Sequence, residues 1–117
     1  MWKLASLLCA VLMTGTLSAQ TAYLSMLADP TDASSARFVK IENNSGANLD
    51  MTGWSLLRWT NGNAEPQSSS FDLGTYGTLY DGGCIYVANS ASGFQDAYGF
   101  APDLVAGTGG PADSNGD

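Results

Sequence analysis

The residues with the clearest potential for chemistry lie near the C-terminal end of the sequence, in the segment Asp113-Ser114-Asn115-Gly116-Asp117. Side chains with oxygen atoms alternate at positions 113, 115 and 117, as they do in the first half of a calcium-binding loop. A complete loop also needs a bidentate glutamate further along, which the sequence up to residue 117 does not supply. Asp113, Asn115 and Asp117 are therefore candidate calcium ligands, and a polar turn before a further strand is the favoured interpretation.

Other reactive residue types are scarce. The sequence has no histidine, which is the usual base that activates a serine or cysteine nucleophile. Without histidine, Cys84 and the remaining side chains cannot make a tetrahedral zinc site. Most carboxylates are aspartates, several of them directly beside glycine or proline, and turn formation is the ordinary explanation for them. We therefore predict no catalytic residues, no cofactor-binding residues and no metal site beyond the calcium candidate.

The first 19 residues have the layout of a secretory signal peptide. Lys3 makes the start basic, residues 4–17 are largely apolar and uncharged, and small residues precede Gln20. The apolar stretch is too short to span a bilayer comfortably. We expect residues 1–19 to be removed and residues 20–117 to form one secreted or extracytoplasmic domain. No transmembrane segment is expected after cleavage.

The charge of the mature chain excludes one class of partner. Removal of residues 1–19 leaves three basic residues against eleven acidic ones, a formal net charge of −8. Because contacts to phosphate need lysine and arginine, we do not expect nucleic-acid binding.

Runs of alternating polarity between turn residues predict an all-β fold. They indicate five strands, over residues 23–28, 37–43, 53–59, 70–73 and 84–89. Short strands separated by turns rich in glycine and proline are typical of a β-sandwich. The predicted core consists of Phe38, Val39, Ile41, Trp54, Leu56, Ile85 and Val87, with Trp54 at its centre.

One short helix, near residues 91–98, interrupts the strands. Ser90 or Ser92 can cap its N-terminus, and apolar residues recur at helical spacing from Phe94. Gly99 can end it in the left-handed conformation.

The strand count predicts an incomplete domain. A seven-stranded sandwich occupies about 100 residues, yet only five strands are indicated, so at least one sheet keeps an unpaired edge. Natural proteins cover or blunt such edges. We expect that the sandwich is truncated before its final strands, and a dimer that pairs two open edges is the less favoured alternative. Residues 20–117 alone are expected to dissolve poorly or to dimerise.

A family resemblance rests on Arg37-Phe38-Val39-Lys40-Ile41-Glu42-Asn43 followed by Leu49-Asp50-Met51-Thr52-Gly53-Trp54-Ser55-Leu56. These segments resemble the core signature of the lamin tail domain, and residues 70–73, 82–87 and 112–117 resemble later motifs of that family in the same order. The resemblance implies an immunoglobulin-like β-sandwich in which a strand pair ordinarily follows the position of Asp117. Met26 and Lys40 depart from the pattern, since family members often carry glutamate there, so no acidic surface is expected from that pair.

The resemblance implies a non-catalytic interaction or scaffolding module of an exported protein, with an unknown protein or cell-surface partner. A carbohydrate- or surface-binding sandwich is one alternative, and it requires Trp59, Tyr76 and Tyr80 to be exposed in one patch. An N-terminal fragment of a secreted multidomain hydrolase, with its catalytic domain beyond Asp117, is the other. A nuclear lamina role is disfavoured because the signal peptide directs export and no coiled-coil heptads precede the domain.

Overall fold

The computed structural model describes residues 21–114. The predicted signal peptide at 1–19 and two calcium candidates, Asn115 and Asp117, lie outside the described residues. The described part is built mainly from short β-strands, together with one α-helix and two single-turn 3-10 segments. In chain order the elements are β1 (Ala22–Ala28), a 3-10 turn (Ser34–Ala36), β2 (Phe38–Asn43), β3 (Leu49–Asp50), β4 (Ser55–Leu56), β5 (Phe71–Asp72), a 3-10 turn (Gly74–Tyr76), β6 (Thr78–Leu79), β7 (Cys84–Ala88), α1 (Ala91–Tyr98) and β8 (Leu104–Val105).

The largest sheet has four strands in the order β1-β2-β7-β8. β1 and β7 flank β2 in antiparallel orientation, and β8 lies parallel to β7. The helix α1 forms the crossover connection that such a parallel pair needs. Two small antiparallel sheets pair β3 with β6 and β4 with β5. The prediction of a β-rich fold with one short helix is confirmed.

Several strands differ from the sequence prediction. β3, β6 and β8 have two residues each and are not predicted, because two residues are too few to show an alternating pattern. The strand expected over 53–59 is reduced to β4, and the strand expected over 70–73 to β5. Gly53 has a φ of +83°. This left-handed conformation belongs to a turn, so the strand begins after Gly53, at Ser55.

The main core combines buried residues of the four-stranded sheet with buried residues of the two small sheets and their connecting segments. In β2, Val39 and Ile41 pair with Val87 and Ile85 of β7, and all four side chains are buried. Burial of each such aliphatic side chain stabilises the fold by roughly 1.5–3 kcal/mol. The buried members of this core are Val39, Ile41, Leu49, Met51, Leu56, Leu73, Leu79, Ile85, Val87 and Ala112.

Two residues of the predicted core lie elsewhere. Phe38 is buried in a second cluster, with Ala88 and Phe94. Trp54, which is predicted at the centre, is only half-buried and packs at the edge of the main core. Its indole is left partly exposed because it lines an open groove on one side of the molecule.

The helix forms with the predicted limits. The Ser90 side chain accepts a hydrogen bond from the Gly93 amide, which caps the N-terminus, and Gly99 ends the helix with a φ of +83°. Phe94 is buried and its ring meets that of Phe38 edge to face, with ring centroids 5.2 Å apart. Edge-to-face pairs of this kind are favourable beyond the area that they bury. The helix is thereby fixed on the outer face of the main sheet.

A β-bulge in β1 decides which of its side chains face the core. The pairing of β1 with β2 shifts between Leu24 and Met26, so Ser25 has no partner in the register. Residues directly opposite each other in a sheet share a face. Leu24 and Leu27 therefore point to the same inner side as the core residues of β2, although they are three positions apart.

A buried asparagine closes the turn between β2 and β3. Asn43 is fully buried, and its Nδ2 donates to the carbonyl oxygens of Ala47 and Leu79 at 2.8 and 3.0 Å. Its Oδ1 accepts from the backbone amide and the hydroxyl of Ser45. Both polar ends of the side chain are thus satisfied, as burial of an amide requires.

Candidate functional site

The main candidate site is an apolar groove between β1 and the segment that contains β4. Leu24 and Leu27 of β1 face the core side but are 59% and 46% exposed. On the opposite wall, Leu57 is exposed and Trp59 is 48% exposed. Inward-facing leucines normally lie against another layer of the protein, so this part of the inner face is uncovered within the described residues.

The open groove, as we name it here, consists of two adjoining cavities of about 290 and 160 Å³. They share the side chains of Leu24, Leu56, Leu57 and Trp59. The larger cavity is also lined by Ala22, Tyr23, Ile41, Trp54, Ser55 and Leu73, and the smaller by Leu27, Val39, Arg58, Pro111 and Ser114. A lining this rich in hydrocarbon binds by excluding water from apolar surface.

The wall of the groove that contains β4 is hydrogen-bonded along one edge only among the described strands. The backbone of β4 pairs with β5. Two further hydrogen bonds extend this pairing at its ends: the Leu73 amide donates to the Trp54 carbonyl, and the Gln67 amide donates to the Arg58 carbonyl. These hydrogen bonds, of 2.9 and 2.8 Å, hold the backbone from which the Leu57 and Trp59 side chains project. Among the described strands, β4 has no partner on its other side.

The turn over residues 107–113 closes one end of the groove. The Arg58 guanidinium donates to the carbonyl oxygens of Gly110 and Asp113. The Arg37 guanidinium bridges Asp29 at the end of β1 and Asp113, at 2.7 and 2.9 Å. These contacts fix Pro111 and Ser114, which line the groove at its Leu27 end.

Both carboxylate oxygens of Asp113 are used in this turn. One accepts from Arg37 and the other from the Gly109 amide at 2.9 Å. The Gly109 amide and the Arg37 guanidinium hold the pKa of the Asp113 carboxyl below its ordinary value. The predicted calcium ligand at this position thus orders the turn through hydrogen bonds.

The titratable side chains of the described residues do not form a metal cluster. Residues 21–114 contain no group of three or more histidine, cysteine, aspartate or glutamate side chains placed to hold an ion. Cys84 is a free, half-buried thiol on β7.

The aromatic residues expected to form one exposed patch lie apart. Tyr76 packs against the main core, where burial raises the pKa of its phenol. Tyr80 is exposed but does not line the open groove, whereas Trp59 does. The aromatic neighbours of Trp59 in the groove are Tyr23 and Trp54. The patch required by the carbohydrate interpretation therefore has different members from those that the sequence indicates.

Comparisons with protein families, with characterised proteins and with solved structures gave no match to this chain. In residues 21–114, none of the helical segments has the length and apolar character needed to cross a membrane.

Sequence reasoning did not find the groove. The leucines of β1 look like ordinary strand residues, and the bulge at Ser25, which turns Leu27 inward, has no sequence signal. A density of apolar residues on both faces of β1 was the one available hint, because Tyr23, Leu24, Met26 and Leu27 leave the strand without a polar side.

Proposed function

We propose that this chain is a non-catalytic interaction or scaffolding module of an exported protein, and that the open groove is its binding surface. The proposed domain is an immunoglobulin-like β-sandwich of the lamin tail type. The sequence resemblance supports this fold, and so does a core to which one four-stranded sheet and two small sheets all contribute residues.

The observation that carries the proposal is the exposure of inward-facing side chains on β1. Leu24 and Leu27 have the position of core residues and the exposure of surface residues. Monomeric proteins rarely leave contiguous apolar patches uncovered unless those patches bind something. Since the groove walls are mostly hydrocarbon, its ligand should present apolar side chains.

Binding of carbohydrate is the second candidate function. Its support is the presence of Tyr23, Trp54 and Trp59 around one cavity, since aromatic rings provide apolar faces with polar edges. Specific ligand sites also place a few polar groups to fix orientation. The polar side-chain groups around this cavity are few: the Ser55 hydroxyl, the indole N–H groups of Trp54 and Trp59, and the Tyr23 hydroxyl, which already accepts from Asn44. We therefore favour an apolar polypeptide segment over a sugar.

The test uses the tryptophans as an internal reporter. The sequence has three tryptophans, and after removal of residues 1–19 the remaining two, Trp54 and Trp59, both line the groove. The exported protein would be titrated with an extended peptide of alternating valine and threonine, with soluble oligosaccharides and with neutral phospholipid vesicles. We expect a blue shift of tryptophan emission with the peptide at concentrations up to the millimolar range.

Two variants on one strand provide the matched control. Leu24→Asp places a charge in the groove and should abolish the shift. Met26→Asp changes a side chain of similar exposure, 49%, on the opposite face of β1, and should leave the shift intact. A shift produced by oligosaccharides but not by the peptide would replace the proposal with the carbohydrate function. No shift with any probe would refute binding at this groove.

A further inference from the structure

We infer that Asn61 and Gly62 form a site of spontaneous covalent modification, at which the Asn61 side chain loses ammonia and becomes aspartate or isoaspartate. The inference is independent of what the open groove binds. It rests on the geometry of one exposed turn and on the contrast between that turn and a second one of similar sequence.

The reactive turn spans residues 60–63. The Asn63 amide donates to the Thr60 carbonyl at 3.0 Å, and both central residues have a positive φ, +51° at Asn61 and +68° at Gly62. Positive φ at both central positions is characteristic of a type I′ turn, for which Asn-Gly is a favoured sequence. Within the described ranges, Asn61 is the one residue other than glycine with φ in this region. The residues that suit the turn thus place an asparagine directly before a glycine.

Both reacting groups of this turn are free and exposed. Across residues 21–114, neither the Asn61 side chain nor the Gly62 amide takes part in a hydrogen bond within the protein. Both residues are exposed, and a Cβ added at Gly62 would meet no atom within 4 Å. The Gly62 nitrogen can therefore approach the Asn61 side chain without breaking a hydrogen bond to the described residues or displacing a neighbour.

The chemistry is an intramolecular ring closure followed by hydrolysis. Hydroxide removes the proton of the Gly62 amide, and the amide nitrogen attacks Cγ of Asn61. The new N–Cγ bond closes a five-membered succinimide, and Nδ2 leaves as ammonia. Water then opens the ring at either carbonyl, which gives aspartate or isoaspartate. Glycine favours the ring closure because it has no Cβ to crowd the ring.

A second turn shows how the fold suppresses the same reaction. Asp81 also precedes a glycine at positive φ, since Gly82 has a φ of +77°. Here, however, the Gly82 amide donates to the Asn43 carbonyl at 2.6 Å, and the Asp81 carboxylate accepts from the Gly46 amide at 2.9 Å. Attack at position 81 would have to break both hydrogen bonds. The structure, and not the dipeptide alone, therefore selects position 61.

The modification would take place next to the open groove. Trp59, on the groove wall, lies two residues before Asn61. Isoaspartate carries the main chain through the former side chain, so it lengthens the ring that the Asn63–Thr60 hydrogen bond closes. Aspartate keeps the main chain and adds a negative charge. Both products therefore alter the segment that continues from this wall.

The experiment compares positions 61 and 81 in one molecule. Asp81→Asn gives position 81 the same Asn-Gly sequence, and its amide oxygen can accept from the Gly46 amide as the carboxylate does. The parent protein and this variant would be incubated in mildly alkaline buffer, either folded or in concentrated urea, and sampled over time.

Peptide mapping assigns the products to single positions. Cleavage after Arg58 and Glu65 releases residues 59–65, and cleavage after Tyr80 and Tyr86 releases residues 81–86. Fragmentation in the mass spectrometer measures the replacement of NH₂ by OH at each asparagine. A methyltransferase specific for isoaspartate then separates the two products.

In the folded variant we expect position 61 to convert roughly tenfold or more faster than position 81, a difference of about 1.4 kcal/mol in activation free energy. In urea the two positions should convert at similar rates, because both turns are lost. Asn63 is the internal control in peptide 59–65, since the Cβ of Ala64 crowds its ring, and it should lag behind Asn61 in both conditions. Asn61→Gln should leave position 61 unconverted, because the longer side chain would have to close a six-membered ring.

Two results would overturn the inference. Equal rates at positions 61 and 81 of the folded variant would show that the hydrogen bonds do not select the site. Conversion of Asn61 in urea but not in the folded parent protein would show that the turn protects this residue. Tryptophan emission establishes that Asp81→Asn is folded, and if it is not, the comparison of the folded parent with the parent in urea decides alone.

Discussion

Leu24 lies directly opposite Ile41 across β1 and β2, but Leu24 is 59% exposed whereas Ile41 is 5% exposed. Both side chains point to the same inner face of the sheet. The residues that bury this face of β2 therefore leave the same face of β1 largely uncovered among the described residues. This difference between two paired residues defines the open groove and sets the energetic expectations for each of its walls.

The two paired residues should differ strongly in their contribution to stability. Ile41→Ala removes a buried side chain and should lower the free energy of unfolding by about 2–5 kcal/mol. Leu24→Ala should lower it by less than about 1 kcal/mol, because most of that side chain is already in water. Urea denaturation of the two variants and the parent protein gives both values. A loss at Leu24 as large as that at Ile41 would mean that the groove is closed in solution.

Asn43 should be essential for the turn between β2 and β3. Asn43→Ala leaves the Leu79 carbonyl oxygen without the Asn43 donor, and it removes one of the two donors to the Ala47 carbonyl, which keeps the Ser45 hydroxyl. An unsatisfied buried group costs about 1–3 kcal/mol. Asn44→Ala is the matched control, since Asn44 is exposed and donates to the Tyr23 hydroxyl. We expect a change within about 0.5 kcal/mol there. Similar midpoints of thermal unfolding for the two variants would contradict this role of Asn43.

Acid should loosen the turn that ends the groove. The folded-state pKa of Asp113 is depressed, first by the Gly109 amide and next by Arg37. Its contribution to stability is therefore present above the ordinary aspartate pKa of about 3.9 and is lost as the pH falls through the lower folded-state value. Asp113→Asn should reduce stability most at pH 5–6, and its difference from the parent protein should shrink towards pH 2.

The pH dependence can be divided between the two hydrogen bonds by a second variant. Arg37→Gln removes one partner and leaves the Gly109 amide in place, so it should weaken the acid dependence without removing it. Unfolding free energies measured at half-unit intervals from pH 2.5 to pH 6 would show this. An unchanged profile in both variants would exclude Asp113 as the group responsible.

Gly93 should tolerate no side chain despite its place in a helix. A Cβ at this position would lie 2.4 Å from the Ser35 carbonyl oxygen, so α1 would have to move away from the 3-10 turn. Replacement of glycine by alanine inside a helix ordinarily stabilises by roughly 0.5–1 kcal/mol. Here we expect the opposite sign, with a loss of about 1–3 kcal/mol. Gln95→Ala, on the exposed face, is the control, and a stabilising effect of Gly93→Ala would show that the contact is loose.

The parts of the fold that were predictable are those governed by local chemistry. Ser90 and Gly99 mark the two ends of α1, because capping and the left-handed conformation depend on residue type at fixed positions. The alternation in β2 likewise identifies Val39 and Ile41 as core residues. The strands of two residues could not be predicted, since their existence depends on pairing partners distant in sequence.

The site was hidden from the sequence for a related reason. Trp54 is a large aromatic residue within an apolar strand pattern, which predicts a position at the centre of the core. It is half-buried because it lines the open groove, and this depends on how the sheets pack together. The inward position of Leu27 depends on a bulge that adds one residue to β1. Neither the extent of a layer nor the register of two strands is a property of a single segment.

The burial of Asn43 also restricts how the protein can be produced. Asn43-Asn44-Ser45 has the form of an acceptor for N-linked glycosylation. The atom that would carry the sugar, Nδ2, is buried and donates to two carbonyl oxygens. In a eukaryotic secretory host, a sugar transferred before folding would prevent the turn from closing. Removal of the acceptor by Ser45→Ala would also delete the hydroxyl that donates to Asn43 Oδ1 at 2.7 Å. A host without this modification is therefore the way to obtain the native fold.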